Sequence, residues 1–99
     1  MIAITRRVVV RGRVHGVGFR AFVEEEATAR ALAGFVRNRR DGSVEAVFAG
    51  PADIVEAMVA ACRRGPPAAW VDAVEVYEAD DNAFGIAGRS TRFLVLATE

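Results

Sequence analysis

The chain has 99 residues, of which 53% are hydrophobic. Its 13 residues of arginine or lysine type balance 13 acidic residues, so the formal net charge is zero. This length and composition predict one folded domain, residues 1–99, and exclude a disordered chain or a second large domain. All 13 of these basic residues are arginines, and the lack of lysine excludes Schiff-base chemistry. The chain has one His and one Cys, which are too few for a zinc cluster or an intramolecular disulfide.

The first predicted elements are a strand, a glycine-rich loop and a helix. Val8, Val9 and Val10 are typical of a β-branched strand that runs to Gly12. From Phe19 onward, apolar residues recur at helical spacing. Gly34 is expected to end this helix, because glycine is common just after a helical C-terminus.

The remainder of the chain predicts a hairpin, a second helix and two further strands. The hairpin turns at Asp41 and Gly42, and the second helix begins at Pro51, a residue that suits a first helical turn. Cys62 repeats with the apolar side of that helix, so we interpret it as a core residue and not a nucleophile. The predicted ranges are strands at 35–38 and 43–49, a helix between Pro51 and Gly65, strands at 71–77 and 93–97, and a polar connection over 80–90.

This order of elements predicts an α+β, ferredoxin-like fold. The pattern is βαββαβ, a split βαβ sandwich, followed by a short C-terminal strand. We expect an antiparallel sheet with both helices on one face. A right-handed crossover through the first helix places the carboxyl ends of the first two strands at one edge, so Asn38 should lie beside the glycine-rich loop.

The glycine-rich loop has the features of an anion site. Gly12, Gly16 and Gly18 fall within seven residues, directly before the first helix. Such a loop can turn its amides inward, and a helix N-terminus attracts phosphate. Arg20 adds a permanent charge whose fork matches two phosphate oxygens. An ordinary strand-to-helix turn with a surface arginine remains the alternative, and the loop matches neither a dinucleotide-binding nor a Walker motif.

Two motifs in the chain resemble the signatures of the acylphosphatase family. Gly-Arg-Val-His-Gly-Val-Gly-Phe-Arg at 12–20 is similar to the family's G-x-V-x-G-V-x-F-R phosphate loop, and Gly-Phe-Val-Arg-Asn at 34–38 resembles its second signature. The two motifs stand at the expected separation. The similarity continues through 41–45 and 62–67 and covers nearly the whole chain except its ends.

The resemblance implies hydrolysis of an acyl phosphate to a carboxylate and inorganic phosphate, with no metal and no cofactor. It assigns catalytic roles to Arg20, which holds the phosphoryl group, and to Asn38, which holds the attacking water. A neutral amide is no base at pH 7, so Asn38 can only orient the water. We infer that the proton of the water passes to a phosphate oxygen. The residues expected to bind phosphate are His15, Gly16, Val17, Gly18, Phe19 and Arg20.

The chain departs from the family pattern at three positions. His15 stands where Gln is usual, Arg30 where Leu is frequent, and Ala31 where Gly is frequent. We expect the backbone N–H of His15 to contribute to the site while its imidazole packs or hydrogen-bonds locally; the alternative is that the imidazole reaches the substrate. The other two departures concern packing. Trp70 and Tyr77 are candidates for shaping acyl-group preference.

Three other functions fit parts of the pattern. An RNA-binding module shares the fold, but Phe19 and Phe22 open a helix and do not lie on an exposed strand. A phosphate-sensing module is the second alternative, but it would not need Asn38 to position a water. The third is that the chain is a fragment of a larger carbamoyltransferase, and the self-contained length disfavours this interpretation. We expect a cytoplasmic monomer that takes a small acyl phosphate, accepts phosphate or sulfate in its loop, and binds neither nucleic acid nor membrane.

Overall fold

The elements follow the predicted order, strand, helix, strand, strand, helix, strand, with a short strand at the end. The computed structural model describes residues 3–80 and 92–99. The connection predicted after the fourth strand therefore lies mostly outside the described residues. The elements are β1 (Ala3–Arg13), α1 (Phe19–Ala29), β2 (Ala33–Asn38), β3 (Val44–Pro51), α2 (Ala52–Arg64), β4 (Trp70–Glu78) and β5 (Phe93–Val95).

The five strands form one sheet in the order β4-β1-β3-β2-β5. This arrangement confirms the ferredoxin-like prediction. β5 pairs in parallel with β2, so the sheet is mixed and not wholly antiparallel. The reason is that β4 runs opposite to β1 and β2, so β5, which reverses direction relative to β4, is parallel to β2 at the other edge of the sheet.

The direction of the strands brings two segments of the site together. β1 and β2 each pair antiparallel with β3, so they run parallel to each other. The carboxyl ends of these two strands, at Arg13 and Asn38, therefore lie at the same end of the sheet. The loop that follows β1 starts at this end, as the crossover argument predicts.

Both helices cover one face of the sheet. The core cluster takes Phe19 and Val23 from α1 and Met58 and Cys62 from α2, all at most 2% exposed. Burial raises the pKa of the Cys62 thiol to about 12, so this residue is a core residue and not a reactive thiolate. Because Phe19 is buried at the start of a helix, it offers no exposed ring for stacking on a base, which contradicts the RNA-binding alternative.

The first helix ends differently from the prediction. α1 stops at Ala29, and two backbone hydrogen bonds close it, from Ala31 N to Thr28 O at 3.0 Å and from Leu32 N to Ala27 O at 3.0 Å. This is the Schellman pattern, in which Ala31 takes the left-handed position with φ 56°.

Gly34 lies inside β2 and does not end the helix, so the prediction for this residue was wrong. It has φ 133°, and a Cβ at this position would stand 1.8 Å from the carbonyl oxygen of Val47 on β3. Glycine is required here by close contact between two strands. A contact of this kind produces no local sequence signal that separates it from a helix-ending glycine.

We expect Ala31→Gly to stabilise the fold. A left-handed alanine costs about 1–2 kcal/mol, and part of this is offset by the greater entropy of glycine in the unfolded chain, so the free energy of unfolding should rise by about 1 kcal/mol. Urea denaturation at constant m-value measures the change. Ala29→Gly, which places glycine in the last helical residue, is the matched control and should lower stability instead. Equal destabilisation by both variants would contradict this account of the helix end.

Candidate active site

The loop between β1 and α1 presents unpaired backbone amides at the start of a helix. Gly16 and Gly18 have φ values of 70° and 80°, which favour glycine. Gly18 is the N-cap of α1 and has no side chain that could bond the amides of the first turn. In the described part of the chain, the amides of residues 15–20 donate no hydrogen bond. They are therefore available to an anion, which the helix dipole also favours.

Arg20 and Asn38 line the same cleft as this loop. The cleft has a volume of about 460 Å³, and Gly16, Gly18 and Phe19 contribute to its wall. Arg20 forms no hydrogen bond or ion pair with any described residue. Four of the predicted phosphate-loop residues thus line the cleft together with Asn38, whereas the side chains of His15 and Val17 are not part of its lining.

The structure adds four residues to the cleft beyond the predicted site residues. Ala21 and Glu24 follow Arg20 on α1, and Val95 comes from β5. Val14 belongs to the first motif but was not among the residues expected to bind phosphate. Glu24 could have been found from helical spacing, since it lies four residues after Arg20. Val95 has no such signal, because its position depends on the pairing of β5 with β2.

A buried carboxylate on β3 fixes the two neighbours of Asn38. Glu45 is 2% exposed and accepts hydrogen bonds from Arg37 Nε at 2.6 Å, Arg39 Nη1 at 3.2 Å and Arg7 Nε at 2.6 Å. Burial alone would raise the pKa of Glu45, but the bonds from Arg7 and Arg37 prevail and lower it, so the carboxylate stays charged. Because side chains alternate along a strand, Asn38 faces away from this cluster.

His15 connects the loop to the β2–β3 hairpin. Its Nε2 lies 2.7 Å from the carbonyl oxygen of Ser43, which also accepts a hydrogen bond from Arg39 N at 2.8 Å. Since this carbonyl can only accept, Nε2 carries the hydrogen. The imidazole thus makes the local bond that the sequence predicts. Ser43 is held in turn by Asp41, whose pKa the hydrogen bonds from Ser43 lower to about 2.

Across 3–80 and 92–99, no three His, Cys, Asp or Glu side chains are grouped closely enough to hold a metal ion. Neither α1 nor α2 has the length and apolar character needed to cross a membrane.

The chain matches known proteins along almost its whole length. The family model described as Acylphosphatase matches residues 6–87. An acylphosphatase of Nitrobacter hamburgensis is 56% identical over 95 residues, 96% of each chain, and one of Rhodopseudomonas palustris is 50% identical over 98 residues, 99% of each chain. The crystal structure of acylphosphatase from Bacillus subtilis has a TM-score of 0.84 at 39% identity and covers 96% of this chain and 99% of its own. The chain therefore belongs to the acylphosphatase family, the hydrolases of acyl phosphates.

Proposed function

We propose that the cleft hydrolyses carboxyl-phosphate anhydrides without a metal ion. The amides of residues 15–20 and the guanidinium of Arg20 hold the phosphoryl group, and the carboxamide of Asn38 positions the attacking water. One observation carries this proposal: unbonded loop amides, an arginine with no partner among the described residues, and Asn38 all border one cleft of about 460 Å³.

The loop and Arg20 suit the charge that develops during phosphoryl transfer. The transition state is loose, with negative charge spread over three equatorial oxygens, so catalysis depends on alignment and on fixed positive groups. Backbone amides at a helix start provide such groups without reorganising. Arg20 adds a full charge and two parallel donors. No acidic residue lies in the first turn of α1 to oppose them.

Asn38 serves as an orienting group for water. Its amide has no useful basicity at neutral pH, so it lowers the barrier by alignment alone. The water oxygen forms a bond to phosphorus as the bond from phosphorus to the acyl oxygen breaks. The acyl oxygen leaves with the electron pair, and the water proton passes to a phosphate oxygen.

The leaving group explains why the site needs no general acid. A carboxylate whose conjugate acid has a pKa of about 4.3 departs as a stable anion at neutral pH. A phosphate monoester would release an alkoxide instead, which needs a proton donor or a metal. The described lining residues of the cleft include no histidine, cysteine or tyrosine, and the one carboxyl group among them, that of Glu24, is exposed to water. We therefore expect selectivity for anhydrides over esters.

Hydrolysis of acetyl phosphate tests this proposal. We expect fast release of phosphate that an excess of chelator leaves unchanged, with no measurable release from a phosphate monoester such as glycerol phosphate. In ¹⁸O-labelled water the label should enter phosphate and not acetate, because the attack is on phosphorus. Loss of activity with chelator, or label in acetate, would overturn the proposed chemistry.

A further inference from the structure

We propose that the acyl part of the substrate binds in a second groove, which lies between α1 and β5. This inference rests on the function proposed for the neighbouring cleft. The groove has a volume of about 490 Å³, enough for a ring-sized acyl group. Its walls include Glu24, Thr28 and Leu32 on the helix side and Phe93, Leu94 and Val95 on the strand side.

The groove continues directly from the phosphate-binding cleft. Glu24 and Val95 line both of them, one from each wall. On α1, Arg20, Glu24 and Thr28 follow each other at four-residue spacing, so they lie along one side of the helix. From Arg20 to Thr28 the helix rises about 12 Å. An acyl chain attached to a phosphoryl group beside Arg20 can therefore pass Glu24 and lie along this side.

The strand wall of the groove is apolar and exposed. Val95 pairs with the core residue Val36 and so shares the helix face of β5 with the buried Phe93, yet it is 42% exposed. An apolar acyl group placed here would remove the Val95 side chain from water. The groove thus favours a ring or a branched chain over a bare acetyl group, which leaves it empty.

Glu24 adds a charge preference at the junction. Its side chain is exposed and has no hydrogen-bond or ion-pair partner among the described residues. The groove is lined by two charged residues, Glu24 and Arg92. Of these two, Glu24 lines the cleft as well, so Glu24 is the one nearer to the reacting phosphate. We infer selection against acyl groups that carry a second carboxylate close to the anhydride.

Trp70 and Tyr77, the two aromatic candidates for acyl preference, line neither the cleft nor the groove. Trp70 pairs with Arg13 at the β1–β4 edge, and Tyr77 pairs with Arg7 further along the same two strands. β1 and β3 lie between β4, which carries Trp70 and Tyr77, and the β2–β5 side of the sheet. The groove residues therefore replace them as the specificity determinants that we propose.

Filling the groove tests its role. The measured quantity is the ratio of kcat/KM for benzoyl phosphate to kcat/KM for acetyl phosphate. Thr28→Trp should lower this ratio about tenfold, because the indole occupies the space for the ring. The matched control is Ala29→Trp, which adds the same side chain at the next exposed position, outside the groove, and should keep the wild-type ratio. Val95→Ala removes apolar wall on the helix side of β5 and should also lower the ratio, which keeps the test decisive if Thr28→Trp does not fold.

A charge variant tests the junction with substrates of equal length. Glu24→Gln should raise the kcat/KM ratio of fumaryl monophosphate to trans-crotonyl phosphate about threefold, the size expected for an exposed charge. Glu25→Gln, which changes an exposed neighbour outside the groove, should leave this ratio alone. Unchanged ratios in the Thr28, Val95 and Glu24 variants would overturn the groove while acetyl phosphate hydrolysis still supported the proposed function. Failure of the wild-type protein to hydrolyse acetyl phosphate would overturn the proposed function itself.

Discussion

Arg20→Ala is expected to lose both turnover and phosphate affinity. The guanidinium has no partner among the described residues and borders the cleft beside the loop amides, so its removal takes the full positive charge from the phosphate position. We expect kcat for acetyl phosphate to fall about 10³-fold, about 4 kcal/mol of transition-state stabilisation. The inhibition constant of inorganic phosphate should rise at least about tenfold, because the ground-state anion loses a charged donor too.

Two companion variants separate charge from geometry at this position. Arg20→Lys keeps the charge but loses the two-donor fork, so its kcat should lie between those of the wild type and Arg20→Ala. Arg63→Ala removes an exposed arginine of α2 that lies beside Arg6 and Glu56 and does not line the cleft, and should leave the phosphate inhibition constant unaltered. An Arg20→Ala enzyme that binds phosphate as tightly as the wild type would contradict the role given to the guanidinium.

Asn38→Ala is expected to lose mainly kcat. A positioned water contributes only when phosphorus is attacked, so this carboxamide should stabilise the transition state and not the bound phosphate. We expect kcat to fall about 10²-fold or more, each tenfold being about 1.4 kcal/mol. Competitive inhibition by phosphate should remain nearly intact. Steady-state kinetics with acetyl phosphate and a phosphate inhibition series measure both quantities.

The bonds on the other face of the sheet make this variant a clean test. Glu45 holds Arg37 and Arg39 by their side chains, and none of these bonds involves the Asn38 carboxamide. The strand position should therefore survive the substitution, which thermal unfolding checks. An Asn38→Ala protein that keeps its full kcat would remove the water-positioning role.

Much of the fold could be predicted because its elements have strong local patterns. The valine run of β1, the apolar spacing of α1 and α2 and the Asp41–Gly42 turn each specify an element, and βαββαβ order restricts the topology. The helix end was mispredicted because glycine is a frequent helix terminator, whereas here Ala31 takes the left-handed position and Gly34 serves a contact between strands. Only tertiary contacts separate these two roles.

The candidate site was predictable where it is formed by consecutive residues. The loop from His15 to Arg20 and the end of β2 are contiguous motifs, and the parallel run of β1 and β2 brings them to one edge. Two cleft residues were not predicted. Glu24 reaches the cleft because of its position on α1, and Val95 because β5 pairs with β2. The buried charge of Glu45 depends on arginines from three separate chain positions, which no local pattern indicates.

Titration of ¹⁵N-labelled protein with inorganic phosphate tests the central claim most directly. We predict that the largest shifts occur at the backbone amides of residues 15–20 and at Arg20 Nε. The same loop shifts should persist in Asn38→Ala and require far more phosphate in Arg20→Ala. Loop amides that stay unmoved at saturating phosphate, with the shifts centred elsewhere on the molecule, would contradict a phosphoryl site built from this loop.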